Sequence, residues 1–312
     1  MSQTAAGPGW KLRIRHALEL VRFSHTVFAL PFALFAAVLA WHVPLRDGTS
    51  PSFSIRPLGA ILLCMVAART AAMAFNRLVD ERFDRMNPRT RQRHLPQGLI
   101  SRREVWGLVI GASLCFSVGA VMFWPNWLPI VAAAPVLAVL LGYSYAKRFT
   151  AAAHLWLGFA LGLAPLCAWI AIRGLEVIAN PADLWPAIVL GAAVTLWVAG
   201  FDIIYACQDA EFDRQTGLHS LPSRWGIDAG LRLAERLHFA AAGLLAILPL
   251  THPQLGLGWL YGLAWLAVTG LLAYEHWLVS PVDLSRVGQA FFQVNAAISL
   301  GLCSAGIVDC LT

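Results

Sequence analysis

Long blocks of apolar residues alternate with short polar ones along this chain. Stretches free of Asp, Glu, Lys and Arg cover Phe23–Leu45, Val105–Ala146, Phe149–Ile172, Leu184–Phe201, Leu237–Tyr274 and Val287–Val308. A helix needs about 20 apolar residues to cross about 30 Å of hydrocarbon. The second and fifth blocks are therefore each long enough for two crossings. Turn-forming residues divide them, Trp124-Pro125-Asn126-Trp127 in one and Thr251-His252-Pro253 in the other. Another span, near Leu58–Val79, is interrupted by Arg69 and Arg77. The pattern predicts an all-α, polytopic membrane protein with nine transmembrane helices.

The loops give this arrangement an orientation. With nine spans, 19 of the 23 Lys and Arg residues fall on one side and only Arg46, Arg56 and Arg173 on the other. Basic loops stay in the cytoplasm. The N-terminus and the long polar loops are thus expected to be cytoplasmic, on a multi-pass protein of the cell (inner) membrane. The basic segment Lys11–Arg22 precedes an apolar run too long for a signal-peptide core, so the run reads as a first transmembrane helix.

Composition agrees. Of 312 residues, 58% are hydrophobic and 13% charged, about half the charge of a typical soluble protein. Mean hydropathy is +0.64. These values exclude a disordered chain and a nucleic-acid-binding domain, and the pI near 9.3 reflects topology. The six cysteines form no C-x-x-C pair and read as buried thiols; the nine His show no zinc spacing.

Two polar loops on the cytoplasmic side carry the same pattern. Asp80-Glu-Arg-Phe83-Asp84-Arg85 and Asp209-Ala-Glu-Phe212-Asp213-Arg214 both read D-x-x-F-D-R, offset by 129 residues. The repeat implies two related halves, about 20–146 and 149–308, within a single domain 1–312. Asp80 and Asp84 lie i,i+4 on one helix face, and so do Asp209 and Asp213; Asn76 and Tyr205 extend each row by a turn. Paired carboxylates at this spacing suit Mg²⁺, which binds one or two carboxylates and completes its shell with water and substrate phosphates. Two such faces would hold two Mg²⁺ ions with a diphosphate between them. Seven of the 17 acidic residues fall in this region. Asp202 is the deepest, inside a span, where an ionisable side chain is costly. Arg69 lies seven residues before Asn76 at membrane depth, either binding substrate or pairing with Asp202. Tyr143 and Lys147 share a face where the fourth span ends, and Lys147 is placed to meet a phosphate. The run Arg85–Arg93 reads mostly as loop charge that steers phosphate.

At these residues the chain resembles the UbiA superfamily of intramembrane prenyltransferases. Asn76-x-x-x-Asp80-x-x-x-Asp84 is similar to its first aspartate motif. Asp209-x-x-x-Asp213, with Tyr205, is similar to its second, and Tyr143-x-x-x-Lys147 to its Y-x-x-x-K. Arg22–Phe32, Ala68–Arg77 and Asp202–Asp209 resemble the 4-hydroxybenzoate polyprenyltransferase branch. The resemblance spans essentially the whole chain. It implies a bundle of two pseudo-repeated halves with Mg²⁺ on Asp80, Asp84, Asp209 and Asp213. Its substrates would be a polyprenyl diphosphate and an aromatic acid, 4-hydroxybenzoate, in ubiquinone-type biosynthesis. Asn76, Arg69, Tyr143, Lys147 and Tyr205 would bind substrate, and Asp202 or a motif carboxylate would assist deprotonation of the acceptor. Arg93-His94-Leu95-Pro96 and His219 depart from the ubiquinone-type pattern and leave 1,4-dihydroxy-6-naphthoate, of menaquinone biosynthesis, as an alternative acceptor.

A transporter is the competing class, since it too buries charges in the membrane. Here the repeated motifs share one side, at the interface rather than the midplane. A CDP-alcohol phosphotransferase would need D-G-x-x-A-R, and a soluble prenyl synthase D-D-x-x-D; neither occurs. No nucleic acid and no obligate protein partner is inferred.

Overall fold

The computed structural model describes residues 16, 19, 20 and 28–312. The basic N-terminal segment, residues 23–27 of the first expected span and most of the Arg22–Phe32 stretch lie outside the described residues. Those described are helical, without a β-strand element. The main helices are α1 (Leu30–His42), α2 (Ile55–Met86), α3 (Arg102–Val121), α4 (Leu128–Ala146), α5 (Ala153–Arg173), α6 (Trp185–Ala206), α7 (Ile227–Ile247), α8 (Trp259–Leu278) and α9 (Asn295–Leu311).

Among the described residues, seven helical segments are long and apolar enough to cross a membrane. They contain α2 to α7 and α9. Of the nine expected crossings, the other two fall at α1, with 13 described residues, and at α8, whose 20 residues include the buried Glu275; neither is among the seven. Large apolar side chains such as Leu114, Val131, Phe239 and Leu250 point outward. In water so many would be a liability; facing lipid they carry no penalty.

Local chemistry sets the helix ends. Proline occupies the first turn of α1, α4 and α6, where the missing N–H costs nothing. Ser101 and Glu104 form a reciprocal capping box that starts α3. The expected breaks at 124–127 and 251–253 both fall between helices.

Helix α2 is longer than the expected Leu58–Val79. Its 32 residues span about 48 Å at 1.5 Å each, well beyond the hydrocarbon. Its last turns carry the first aspartate motif unbroken, so Asn76, Asp80 and Asp84 keep their i,i+4 stacking. The second motif differs. A 3₁₀ turn, Cys207–Asp209, ends α6, and a separate short helix, Ala210–Thr216, follows. Asp209 sits at that junction with φ −105° and ψ 3°. The single straight row expected from Tyr205 through Asp209 to Asp213 is therefore interrupted at the 3₁₀ turn, where Asp209 is also held by the loop after the first motif.

Helices α5 and α6 form the closest pair. A Cβ on Gly158 would lie 2.1 Å from the Thr195 carbonyl oxygen, and one on Gly162 2.5 Å from that of Gly191. Only glycine permits this approach. At the far end of α5, Arg173 is buried. It pairs with Asp183 and donates to the carbonyls of Ala40, Val43 and Pro44, while Trp169 Nε1 donates to the same Asp183 at 3.0 Å. One of the three basic residues on the sparsely charged side is thus a structural tie between α1 and α5. All six cysteines are free thiols; Cys207, Cys303 and Cys310 are buried as expected, and Cys64, Cys115 and Cys167 only partly.

Candidate active site

All ten side chains singled out from the sequence line one cavity: Arg69, Asn76, Asp80, Asp84, Tyr143, Lys147, Asp202, Tyr205, Asp209 and Asp213. Helix α2 supplies Arg69 and the first motif, the end of α4 supplies Tyr143 and Lys147, and the end of α6 with the 3₁₀ turn and short helix after it supplies Asp202, Tyr205, Asp209 and Asp213.

The carboxylates have distinct partners. Asn76 Nδ2 donates to Asp80 Oδ2 at 2.9 Å, and Arg148 reaches Asp80 Oδ1 at 3.3 Å. Arg148 also donates to the carbonyls of Ser144 and Val79, at 3.0 and 2.7 Å, tying α4 to α2. Arg93 Nη1 grips both oxygens of Asp84, at 2.7 and 2.9 Å. Arg89 holds Asp209 through Nε at 2.9 Å and through Nη2, and its Nη1 donates to the Tyr205 hydroxyl at 2.6 Å. Its guanidinium carbon lies 4.9 Å from the Tyr205 ring centre. Asn87 adds a hydrogen bond to Asp209 Oδ1 at 3.0 Å. The segment from Asn87 to Arg93 is therefore more than steering charge: it folds back from the first motif onto the second.

Asp202 pairs with His154, Nδ1 to Oδ2 at 2.6 Å. His154 is fully buried, and its Nε2 accepts the Leu221 N–H at 3.3 Å. That acceptor role places the proton on Nδ1, which donates to Asp202. The glycine contact between α5 and α6 brings this pair together.

Electrostatics at the rim follow. Burial opposes the charge of the Lys147 ammonium, but Asp202, Asp213, Asp209 and Asp80 around it hold its pKa above the ordinary lysine value. Arg89 responds in the same way: burial opposes its charge, and the hydrogen bonds to Asp209 with the nearby Tyr205 more than offset it.

An Mg²⁺ fit can be tested on the donors present. Asp80 and Asp84 offer hard oxygens from α2, and Asp209 and Asp213 from the segment after α6. Asp213 Oδ2 is buried without a hydrogen bond among the described residues. Such an orphaned oxygen is costly unless a cation or donor meets it. Among the described residues no three His, Cys, Asp or Glu side chains form a ready cage. Two carboxylates per wall, completed by phosphate and water, is the pattern Mg²⁺ favours. The donor set fits.

A second cavity adjoins the first and shares Arg69, Met73, Tyr143, Leu157 and Leu161 with it. It is apolar and runs between α2, α3, α4 and α5 as far as Phe123 and Ala171. A charged chamber opening into an apolar channel is complementary to a lipid with an anionic head.

Four partners leave little trace in the sequence. His154 left a faint signal, a lone histidine inside an apolar block. Arg148 was overshadowed by Lys147 beside it. The direct grip of Arg89 and Arg93 on the aspartates depends on how the loop returns, which residue spacing does not encode.

Comparison with known proteins supports this picture. The UbiA prenyltransferase family matches residues 29–297. The 4-hydroxybenzoate octaprenyltransferase of Methylococcus capsulatus is 30% identical over 250 residues, covering 78% of this chain and 80% of that protein. The structure of a UbiA homolog from Aeropyrum pernix K1 is 32% identical, with a TM-score of 0.78, covering 91% of this chain and 97% of that one. A UbiA homolog from Archaeoglobus fulgidus, solved bound to DMAPP and Mg²⁺, is 20% identical with a TM-score of 0.60 over 92% of this chain and 99% of that one, a likeness of fold. An α-helical multi-pass bundle, two aspartate motifs on one cavity and a family match over most of its length lead to one conclusion: the chain belongs to the UbiA prenyltransferase family and is a membrane prenyltransferase.

Proposed function

We propose that this enzyme transfers a polyprenyl group from a polyprenyl diphosphate to the ring of 4-hydroxybenzoate, releasing diphosphate, in ubiquinone-type quinone biosynthesis. The observation that carries the reading is the junction of the two cavities, with carboxylates and basic groups on one side and an apolar channel on the other. Relatives named 4-hydroxybenzoate octaprenyltransferase support the acceptor. We further read the chain as one domain of two related halves. Its basic side faces the cytoplasm at the inner membrane, in keeping with the positive-inside rule.

Asp80, Asp84, Asp209 and Asp213 would hold Mg²⁺, which supplies positive charge to the diphosphate as the allylic C–O bond breaks. Lys147, kept charged by its carboxylate neighbours, stabilises the same leaving oxygens. Asn76 and Tyr205 position the motif side chains from one turn away. Tyr143 and Arg69 stand where the chamber meets the channel, and Arg69 is placed to pair with an acceptor carboxylate. The ring carbon ortho to the phenol attacks the allylic cation, forming the new C–C bond. Asp202, oriented by His154, takes the proton released.

The two departures from the ubiquinone-type pattern border the chamber: Arg93, beside His94, lines it, and the His219 N–H donates to the Lys147 carbonyl oxygen at 2.7 Å. His94 pairs with Glu19 at 2.8 Å, and neither His94 nor His219 lines the cavity. The deciding experiment is a membrane assay with geranyl or longer diphosphate, offering each acceptor in turn, with Mg²⁺ or EDTA. Mg²⁺-dependent C-prenylation of 4-hydroxybenzoate is expected. Product with the naphthoate alone would replace the acceptor, and no product with either from folded protein would reopen the transporter reading.

A further inference from the structure

The polar chamber has an aromatic wall that the mechanism above leaves without a task. Phe28, Phe201 and Phe291 line it, and none of them lines the apolar channel. The donor's tail therefore occupies other surface, which leaves this wall to a second, flat substrate. Phe291 is the central ring. Its centroid lies 4.4 Å from that of Tyr205, 5.4 Å from Phe201 and 5.5 Å from Phe28.

Phe291 reaches that position through an unusual piece of backbone. Ala290–Val294 forms a π-helical turn just before α9. A π turn adds a residue to the helix and rotates the side chains before it by about 100° relative to an unbroken α-helix. Asn295, fully buried, stands at its end. Its Nδ2 donates to the carbonyls of Ala290 and Phe291, at 3.0 and 3.2 Å, and to Glu275 Oε1 at 3.1 Å. Its Oδ1 accepts the Trp197 indole N–H at 2.6 Å. Glu275 is itself fully buried on α8. Burying a carboxyl and an amide in a membrane bundle is expensive unless they are hydrogen-bonded, and a bonded network holds one geometry. Here they define the turn that presents Phe291.

We propose that Phe291 is a specificity-determining wall for the aromatic acceptor, and that Asn295 and Glu275 are positioning residues that hold it there. The acceptor ring stacks against Phe291 while Arg69 takes its carboxylate. This rests on the prenyl-transfer reading.

The test is steady-state kinetics of the full-length protein with Mg²⁺, varying 4-hydroxybenzoate and geranyl diphosphate separately. Phe291→Leu should raise the acceptor KM about tenfold, the scale of a lost aromatic pair, and leave the donor KM unchanged. Asn295→Ala should show the same acceptor-selective defect, although its side chain does not line the chamber. Glu275→Gln, which keeps an oxygen for Asn295, should remain close to wild type. An unmoved acceptor KM in folded Phe291→Leu protein would overturn the proposal, as would equal rises in both KM values for Asn295→Ala. If Asn295→Ala does not fold, Asn295→Gln, with its amide set one methylene off, tests the positioning role by the same criterion. A wild-type enzyme that makes no Mg²⁺-dependent product would overturn both this proposal and the reading beneath it; an active wild type with unaffected variants overturns this one alone.

Discussion

Arg89, in the loop that follows the first aspartate motif, holds both carboxylate oxygens of Asp209 in the second. The two motifs lie more than a hundred residues apart in sequence, yet this guanidinium joins them directly and rests on Tyr205 as it does so. Replacing it with lysine should not restore function, because an ammonium cannot supply the planar fork or stack on the ring. We expect Arg89→Ala and Arg89→Lys each to lower kcat/KM about tenfold or more. Lysine at wild-type efficiency would show that charge alone suffices.

The aspartates themselves carry a stronger expectation. Asp80→Ala and Asp209→Ala should each reduce turnover by at least about a hundredfold while the protein remains inserted, since each removes charge-stabilising capacity at the leaving group. EDTA should abolish turnover of the wild type and added Mg²⁺ restore it. Size-exclusion profiles in detergent verify folding, and retained activity in either variant would sink the two-face metal arrangement.

Asp202 and His154 form a pair and should behave as one. Asp202→Asn should lower kcat about a hundredfold with little change in donor KM, the range typical of a lost general base. His154→Ala should lower it less, and adding it to Asp202→Asn should cost little more. Fully additive losses in a double-mutant cycle would show that the two act independently.

Lys147 makes a prediction about pH. Its pKa is raised above the ordinary 10.5. A raised pKa means the cation persists below that value, and its contribution is lost only as pH climbs through the higher folded value. The activity ratio of wild type to Lys147→Gln should therefore stay constant between about pH 7 and 9. A ratio that closes toward the alkaline end would place the titration lower than the surrounding carboxylates allow.

Gly158 ties the fold to the site. A methyl group there would meet the Thr195 carbonyl oxygen at 2.1 Å, and backbone cannot rotate aside as a side chain can. Gly158→Ala should cost about 1–3 kcal/mol of stability. By spreading α5 from α6 it should also weaken the His154–Asp202 contact. Thermal unfolding in detergent and turnover at a permissive temperature measure the two effects. An unchanged Tm would mean that the helices separate freely.

A helical membrane protein, the sites of its hairpin breaks and ten chamber-lining residues are all legible in the order of the residues. Those features are local. Hydrophobic block length decides whether a helix can span a bilayer, and i,i+4 spacing decides which side chains share a helix face. The repeated D-x-x-F-D-R marked both motifs because each is read along a single stretch of chain. Contacts between distant stretches are not legible there and arise from the packing of the bundle. The return of Arg89 and Arg93 onto the carboxylates depends on the path of a loop, and the pairing of His154 with Asp202 depends on glycines that let two helices nearly touch. The break in the second motif at Cys207–Asp209 coincides with the contacts that distant residues make to Asp209, which no helical period along α6 records. Local spacing carries the chemistry of each face; the opposition of the faces is a property of the packed bundle.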